Sequence, residues 1–253
     1  MDSTLLVVIV GAAVAGFVQG LSGFAFGLVS MSFWAWTLEP RLAATLAVFG
    51  SLTGQVIAAV SVRRGFNVRL LLPFVLGGLA GIPLGVALLP RMDMDLFRLV
   101  LGTLLAVWCP TMLMARHLPK VTIGGPLGRL ADAAVGLAGG VMGGLGGFTG
   151  ALPTLWCTLR GMEKDAQRAV VQNFNLSMLA VTMATYLGTG IVTRPMLPLC
   201  GVVAAAMLVP TFLGTRLYIG ISEATFRKIV LGLLTASGLA MLVGAVPAVL
   251  ARV

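Results

Sequence analysis

Gly16-Phe17-Val18-Gln19-Gly20-Leu21-Ser22-Gly23-Phe24 returns 124 positions later as Gly140-Val141-Met142-Gly143-Gly144-Leu145-Gly146-Gly147-Phe148. The two stretches agree at Gly16/Gly140, Gly20/Gly144, Leu21/Leu145, Gly23/Gly147 and Phe24/Phe148. Their separation is about half of the 253-residue chain, so the spacing predicts a duplicated unit.

Each cluster interrupts an apolar run. A glycine costs a helix interior roughly 1 kcal/mol relative to alanine, so several together predict a helix break. In hydrocarbon a freed N–H or C=O is costly unless it lines a protein-enclosed cavity, and a break at membrane depth therefore points to a polar site. A half-helix starting at Phe24 or Phe148 would aim its free N–H groups into that cavity and favour an anion. Paired broken helices at corresponding places in two halves are a pointer to a transporter site. The same glycine spacing also serves close packing of membrane helices, and that reading stands beside the first.

Composition sets the class. The chain is 58% hydrophobic and 10% charged, with a mean hydropathy of +1.04. At about 20 apolar residues per span, it accommodates six to ten membrane segments in one domain, residues 1–253. The net charge of +9 resides in short connections between apolar runs, where cations set topology and meet lipid headgroups. Nucleic acid is excluded as a partner on that ground. Cys109, Cys157 and Cys200 lie in apolar segments without metal-ligand spacing and read as small buried hydrophobes, so neither metal nor cofactor is expected. The N-terminal Met1-Asp2-Ser3-Thr4 lacks a basic n-region, so the first apolar run is expected to be retained structure.

Segment 1, Thr4 to Trp36, is too long for one ordinary span, and two short helices meeting at Gly20–Gly23 fit it better. Glu39-Pro40-Arg41 is a polar turn. Segments follow over Leu42–Ser61, with Ser51, Thr53 and Gln55 as a mild polar face, Leu70–Leu89, with Pro73 and Pro83, and Leu96–Met114. This first repeat, about 1–114, is joined by a connection, about 115–128, to a second repeat, about 129–253. There segment 5, Leu130–Leu159, copies the broken design, with Glu163 in the place of Glu39. Segment 6, Ala169–Leu187, carries Gln172, Asn173, Asn175 and Ser177, the most polar run inside any apolar segment. Segment 7, Met196–Ile219, is interrupted by Pro210 and Gly214, and Ser222 and Glu223 open segment 8 as an N-cap and first-turn acid. The later parts echo too, since Gly85 to Phe97 and Gly214 to Phe226 share one spacing and each Phe is followed by arginine.

Charge chooses the topology. If segments 1 and 5 each cross once, Lys plus Arg divide 9 against 8 between the two sides. If each turns back at its break, as a re-entrant pair or hairpin, one side gathers 12, among them Arg63, Arg64, Arg69, Arg116, Lys120 and Arg129, and the other 5. The positive-inside rule prefers the second. Each half then makes an odd number of crossings, and the copies are antiparallel. The expected fold is an all-α integral membrane protein of two inverted-topology repeats, each a glycine-broken re-entrant or hairpin segment followed by three transmembrane helices, with both termini periplasmic.

On the two glycine motifs, the duplication and the Gly85 and Gly214 helices, the chain resembles the sulfite exporter TauE/SafE family, also called the 4-toluene sulfonate uptake permease family. The resemblance covers nearly the whole length. It implies a secondary transporter of small sulfur-containing anions, such as sulfite, sulfoacetate or other organosulfonates, in a bacterial inner membrane, with protons as the coupling ion often proposed. The proline that usually follows the second motif is matched by Pro153, whereas the first copy has Val29.

The expected mechanism is alternating access with the anion at half-helix N-termini between the repeats. Candidate ligands are the backbone at Gly20, Ser22, Gly23, Gly144, Gly146 and Gly147, with side chains of Gln19, Ser22, Thr149, Gln172, Asn173 and Asn175. Neutral donors suit a sulfonate because they spread its charge without a buried cation. The competing readings are hydroxyls bonded back onto their own helices and amides bridging helices. Arg41, Arg168 and Glu163 flank the broken segments as gating or steering groups, or as interfacial anchors. A passive anion channel is the alternative within transport. An enzyme is the alternative outside it, because Gly20-Leu21-Ser22-Gly23 matches the G-x-S-G of intramembrane serine hydrolases, although the chain's single histidine, His117, lies in the connection.

Overall fold

The computed structural model describes residues 3–23, 25–61, 65–115, 119–216 and 223–251. Among them are ten α-helices and no strands. They are α1 (Ser3–Ser22), α2 (Phe26–Trp34), α3 (Pro40–Ser61), α4 (Val68–Leu88), α5 (Met94–Met114), α6 (Gly125–Gly146), α7 (Ala151–Leu159), α8 (Lys164–Gly188), α9 (Leu197–Arg216) and α10 (Glu223–Leu250). Six stretches, built on α1, α3, α4, α5, α9 and α10, are long and apolar enough to cross a membrane, which makes this a multi-pass membrane protein. One order of lengths, long, short, long, long, long, runs through α1–α5 and again through α6–α10.

The breaks fall at the glycines but differ in form from the sequence expectation. Segment 1 is not two short helices: α1 has 20 residues, enough to cross alone, and only α2, with nine, is a half-helix. The half-helices start at Phe26 and Ala151 rather than at Phe24, which lies outside the described residues, or Phe148. Gly23 and Gly147 end the long helices with φ of 81° and 78°. That left-handed backbone is open to glycine at little cost and closes the helix C-terminus. At Gly147 the N–H reaches back to the Gly143 carbonyl at 2.9 Å, and the Phe148 N–H to Met142 at 3.4 Å.

After each break the chain folds back along the helix it has left. The Trp34 indole N–H of α2 donates to the Val7 carbonyl of α1 at 3.2 Å, and the Trp156 N–H of α7 donates to Asp132 of α6 at 2.7 Å. Both glycine segments are therefore helical hairpins.

The remaining glycines of each cluster do something else. Gly20 packs on the Thr211 carbonyl and Gly214 of α9, while Gly144 packs on Ile82 and Gly85 of α4. Without a β-carbon the backbones touch, and dispersion and close packing replace the hydrophobic driving force that lipid cannot supply. The contacts advance in one direction on both helices of each pair: Gly16 meets Met207 where Gly20 meets Thr211, and Gly77 meets Ala133 where Gly81 meets Leu137. So α1 runs parallel to α9, and α4 parallel to α6. On the outside, α5 and α10 pair through Gly102 and Gly238.

Three further expectations change. The connection ends earlier, because α6 begins at Gly125. Neither Pro210 nor Gly214 interrupts segment 7, since α9 is continuous from Leu197 to Arg216. Segment 8, expected to end near Val243, runs on as α10 to Leu250, and Ser222, its expected N-cap, lies outside the described residues, as do Arg63, Arg64, Arg116 and His117. All three cysteines are free and buried.

Candidate functional site

The two breaks touch. A methyl group on Gly27, in the first turn of α2, would meet the Gly147 carbonyl oxygen at 2.9 Å and the Ser51 hydroxyl of α3 at 3.2 Å. Gly147 in turn lies against Val48 of α3. The first N–H groups of a helix have no partner within it, and here the start of α2 lies against the other break.

Break 1 is dressed by amide side chains. Gln19 is buried, accepts the Phe26 N–H on Oε1 at 3.0 Å and donates from Nε2 to the Gly23 carbonyl at 3.4 Å. Gln55 of α3 donates to the same carbonyl at 2.6 Å. Gln172 of α8, also buried, brings its Nε2 to 3.4 Å from where a Gly23 β-carbon would stand. Glutamine suits this place because one side chain satisfies a stranded donor and a stranded acceptor together.

Break 2 is dressed differently. The buried Thr149 hydroxyl donates to Asn175 Oδ1 at 2.9 Å, and the Asn175 amide lies against Gly150, the residue before α7. The Tyr186 hydroxyl donates to the Gly144 carbonyl at 2.7 Å. The Trp108 indole reaches the start of α7 by donating to the Ala151 carbonyl at 2.8 Å.

Of the candidate residues, Gln19, Gly23, Gly147, Thr149, Gln172 and Asn175 are gathered around the breaks. Others are placed elsewhere or occupied. The exposed Ser22 donates back to the Val18 carbonyl at 2.8 Å, the bond of a helix-bound serine. Asn173 donates to Ala169 and Gly65 at 2.8 and 3.0 Å, tying α8 to the loop before α4. Gly20 and Gly144 are packing positions. Ser22 and Gly146 sit in the last turns of α1 and α6, where N–H groups serve the helix, and the Gly23 N–H is held by the Gln19 carbonyl at 2.7 Å. Arg41 and Glu163 are exposed, as is Arg168; Arg41 reaches the Pro90 carbonyl at 3.4 Å and Glu39 at 4.0 Å.

Besides Gln55 at break 1, two more groups go beyond the candidate set. Ser51 is 3% exposed and its hydroxyl has no hydrogen-bond partner. It stands 124 positions before Asn175, so the repeat itself carried the signal. Asp132, a lone acid in an apolar run, is buried and receives Arg160 at 2.7 and 2.8 Å as well as Trp156. A buried carboxylate in an otherwise apolar helix is a signal of its own, since acids are almost never buried unless paired.

No curated protein and no solved structure matches the chain. The family model for sulfite exporter TauE/SafE matches residues 8–241. With its membrane-crossing helices and its two glycine hairpins, the chain belongs to the sulfite exporter TauE/SafE family of membrane transporters.

Proposed function

We propose that the protein is a secondary transporter that carries a small sulfur-containing anion across a bacterial inner membrane by alternating access, holding it where α2 and α7 begin. The observation that carries this reading is the meeting of Gly27 with the Gly147 carbonyl beside the partnerless, buried Ser51 hydroxyl. Helix N-termini favour negative charge, and a stranded hydroxyl donor beside them supplies a further hydrogen bond. Gln19, Gln55, Thr149, Gln172 and Asn175 complete the lining, with Gly23 and Gly147 as the hinges of the two hairpins.

Alternation follows from two inverted repeats, α1–α5 and α6–α10. Within a repeat α1, α3 and α5 run one way and α4 the other, because α2 returns along α1 and the later links are short. The parallel pairing of α1 with α9 and of α4 with α6 supports opposite orientations for the copies. Charge in the connections supports periplasmic termini.

The test is a thermal-shift screen of purified protein against sulfite, thiosulfate, sulfoacetate, taurine and carboxylate analogues, followed by counterflow in proteoliposomes. A ligand of the folded state raises the melting temperature. Saturable uptake with counterflow marks a carrier; a non-saturating flux would replace it with a channel.

A further inference from the structure

The chemistry of the place where the two breaks meet narrows the ligand beyond "anion". The polar side chains gathered there, Gln19, Ser51, Gln55, Thr149, Gln172 and Asn175, are uncharged and buried. Described arginines that flank the helices of the two breaks are engaged or solvated, and Arg41 and Arg69, on either side of Ser51 and Gln55, are exposed. Arg98 holds the Ala35 and Trp36 carbonyls, each at 2.8 Å. Arg160 is neutralised by Asp132 at the far end of the α6–α7 hairpin from the break. Arg168, one turn before Gln172 on α8, is exposed, where water and salt screen it.

A site of this kind stabilises one negative charge far better than two. The cost of taking an ion out of water grows with the square of its charge, so a dianion faces roughly four times the penalty of a monoanion. Neutral hydrogen bonds and helix N-termini recover only part of that, and no described buried cation is present to recover the rest. Resting on the transport reading above, we infer that the site takes singly charged sulfur oxyanions, namely hydrogensulfite or a monosulfonate. It rejects doubly charged ones, namely sulfate, fully ionised sulfite and sulfo-carboxylates such as sulfoacetate. Shape does not separate these ligands, because each presents the same pyramidal or tetrahedral sulfur–oxygen head. Charge does.

The test uses the full chain in lipid nanodiscs and equilibrium binding of methanesulfonate, sulfate and sulfite across neutral pH. Methanesulfonate is expected to bind at least about tenfold more tightly than sulfate. Sulfite binding is expected to weaken as pH rises and the second proton leaves, while methanesulfonate binding stays level. Ser51→Ala is expected to weaken methanesulfonate by roughly tenfold, the worth of one hydrogen bond to a charged ligand. Equal affinities for methanesulfonate and sulfate, both reduced by Ser51→Ala, would overturn the single-charge inference and leave the anion site standing. Methanesulfonate binding that is absent, or that is indifferent to Ser51→Ala and to Gln172→Leu, would overturn the site and the inference with it.

Discussion

Asp132 of α6 and Arg160, the residue that caps α7, are joined through both carboxylate oxygens, at 2.8 and 2.7 Å. The pair closes the open end of the second hairpin, with the Trp156 indole on the same carboxylate and the Ile123 carbonyl on the other guanidinium nitrogen. The first hairpin has no such ion pair between its own helices: position 8, the counterpart of Asp132, is the buried Val8, Trp34 bonds a backbone carbonyl, and Arg98 of α5 holds the Ala35 and Trp36 carbonyls at its open end.

Removing one member of this pair strands the other. Asp132→Ala is expected to destabilise the protein by about 3 kcal/mol, because Arg160 keeps its charge in a half-buried place without its counterion. Replacing both, by Asp132→Leu with Arg160→Met, should recover much of the loss. Thermal melting in detergent reads both, and an Asp132→Ala protein that melts with the parent would mean the pair is solvated in the working protein.

Gly144 and Gly85 meet backbone to backbone, as Gly20 and Gly214 do. Gly144→Leu and Gly20→Leu should each cost roughly 3 kcal/mol, the upper range for overpacking, since α4 or α9 must move aside. Gly232 of α10 has nothing within 4 Å, and Gly232→Ala should leave the melting temperature level or slightly higher. Equal effects at the three positions would contradict the packing.

The left-handed backbone of Gly147 makes a separate prediction. Gly147→Ala forces an L-residue into that region at about 1–2 kcal/mol and presses a methyl to 3.3 Å from Val48. On the proposed site, transport should fall by more than stability does, because the altered backbone is where the Gly147 carbonyl meets Gly27. A variant with a lowered melting temperature and undiminished transport would make Gly147 a structural residue only.

Two asparagines two residues apart give a sharp contrast. Asn175→Ala should abolish most transport, since its side chain serves Thr149 and Gly150 at break 2. Asn173→Ala should retain transport and lose only the tie from α8 to Gly65, worth about 1 kcal/mol. Initial rates in proteoliposomes decide, and the reverse order would relocate the site.

Much of this was legible in the chain of letters. A run rich in apolar residues must be helical in lipid, because the backbone has no other partner there, and glycines repeated at one interval mark where two such helices stop. The distribution of lysine and arginine led to the expectation that each glycine segment turns back, and it is the Trp34–Val7 and Trp156–Asp132 bonds that lay α2 along α1 and α7 along α6. Gln19, Gln172, Thr149 and Asn175 stood out as polar residues in apolar surroundings. Identity alone could not separate packing glycines from hinge glycines. Gly20 and Gly23 are the same residue three positions apart, and only the neighbour opposite, Gly214 for one and the turn of the chain itself for the other, tells them apart. Nor could it tell which way a polar side chain leaves its helix. Asn173 and Asn175 differ by about 200° around α8, and that rotation sends one to a loop and the other to the break. The repeat and its helices follow from local chemistry, which a sequence carries. Which residues face one another where Gly27 of α2 meets the Gly147 break follows from packing between segments far apart in the chain, and only the folded molecule sets it.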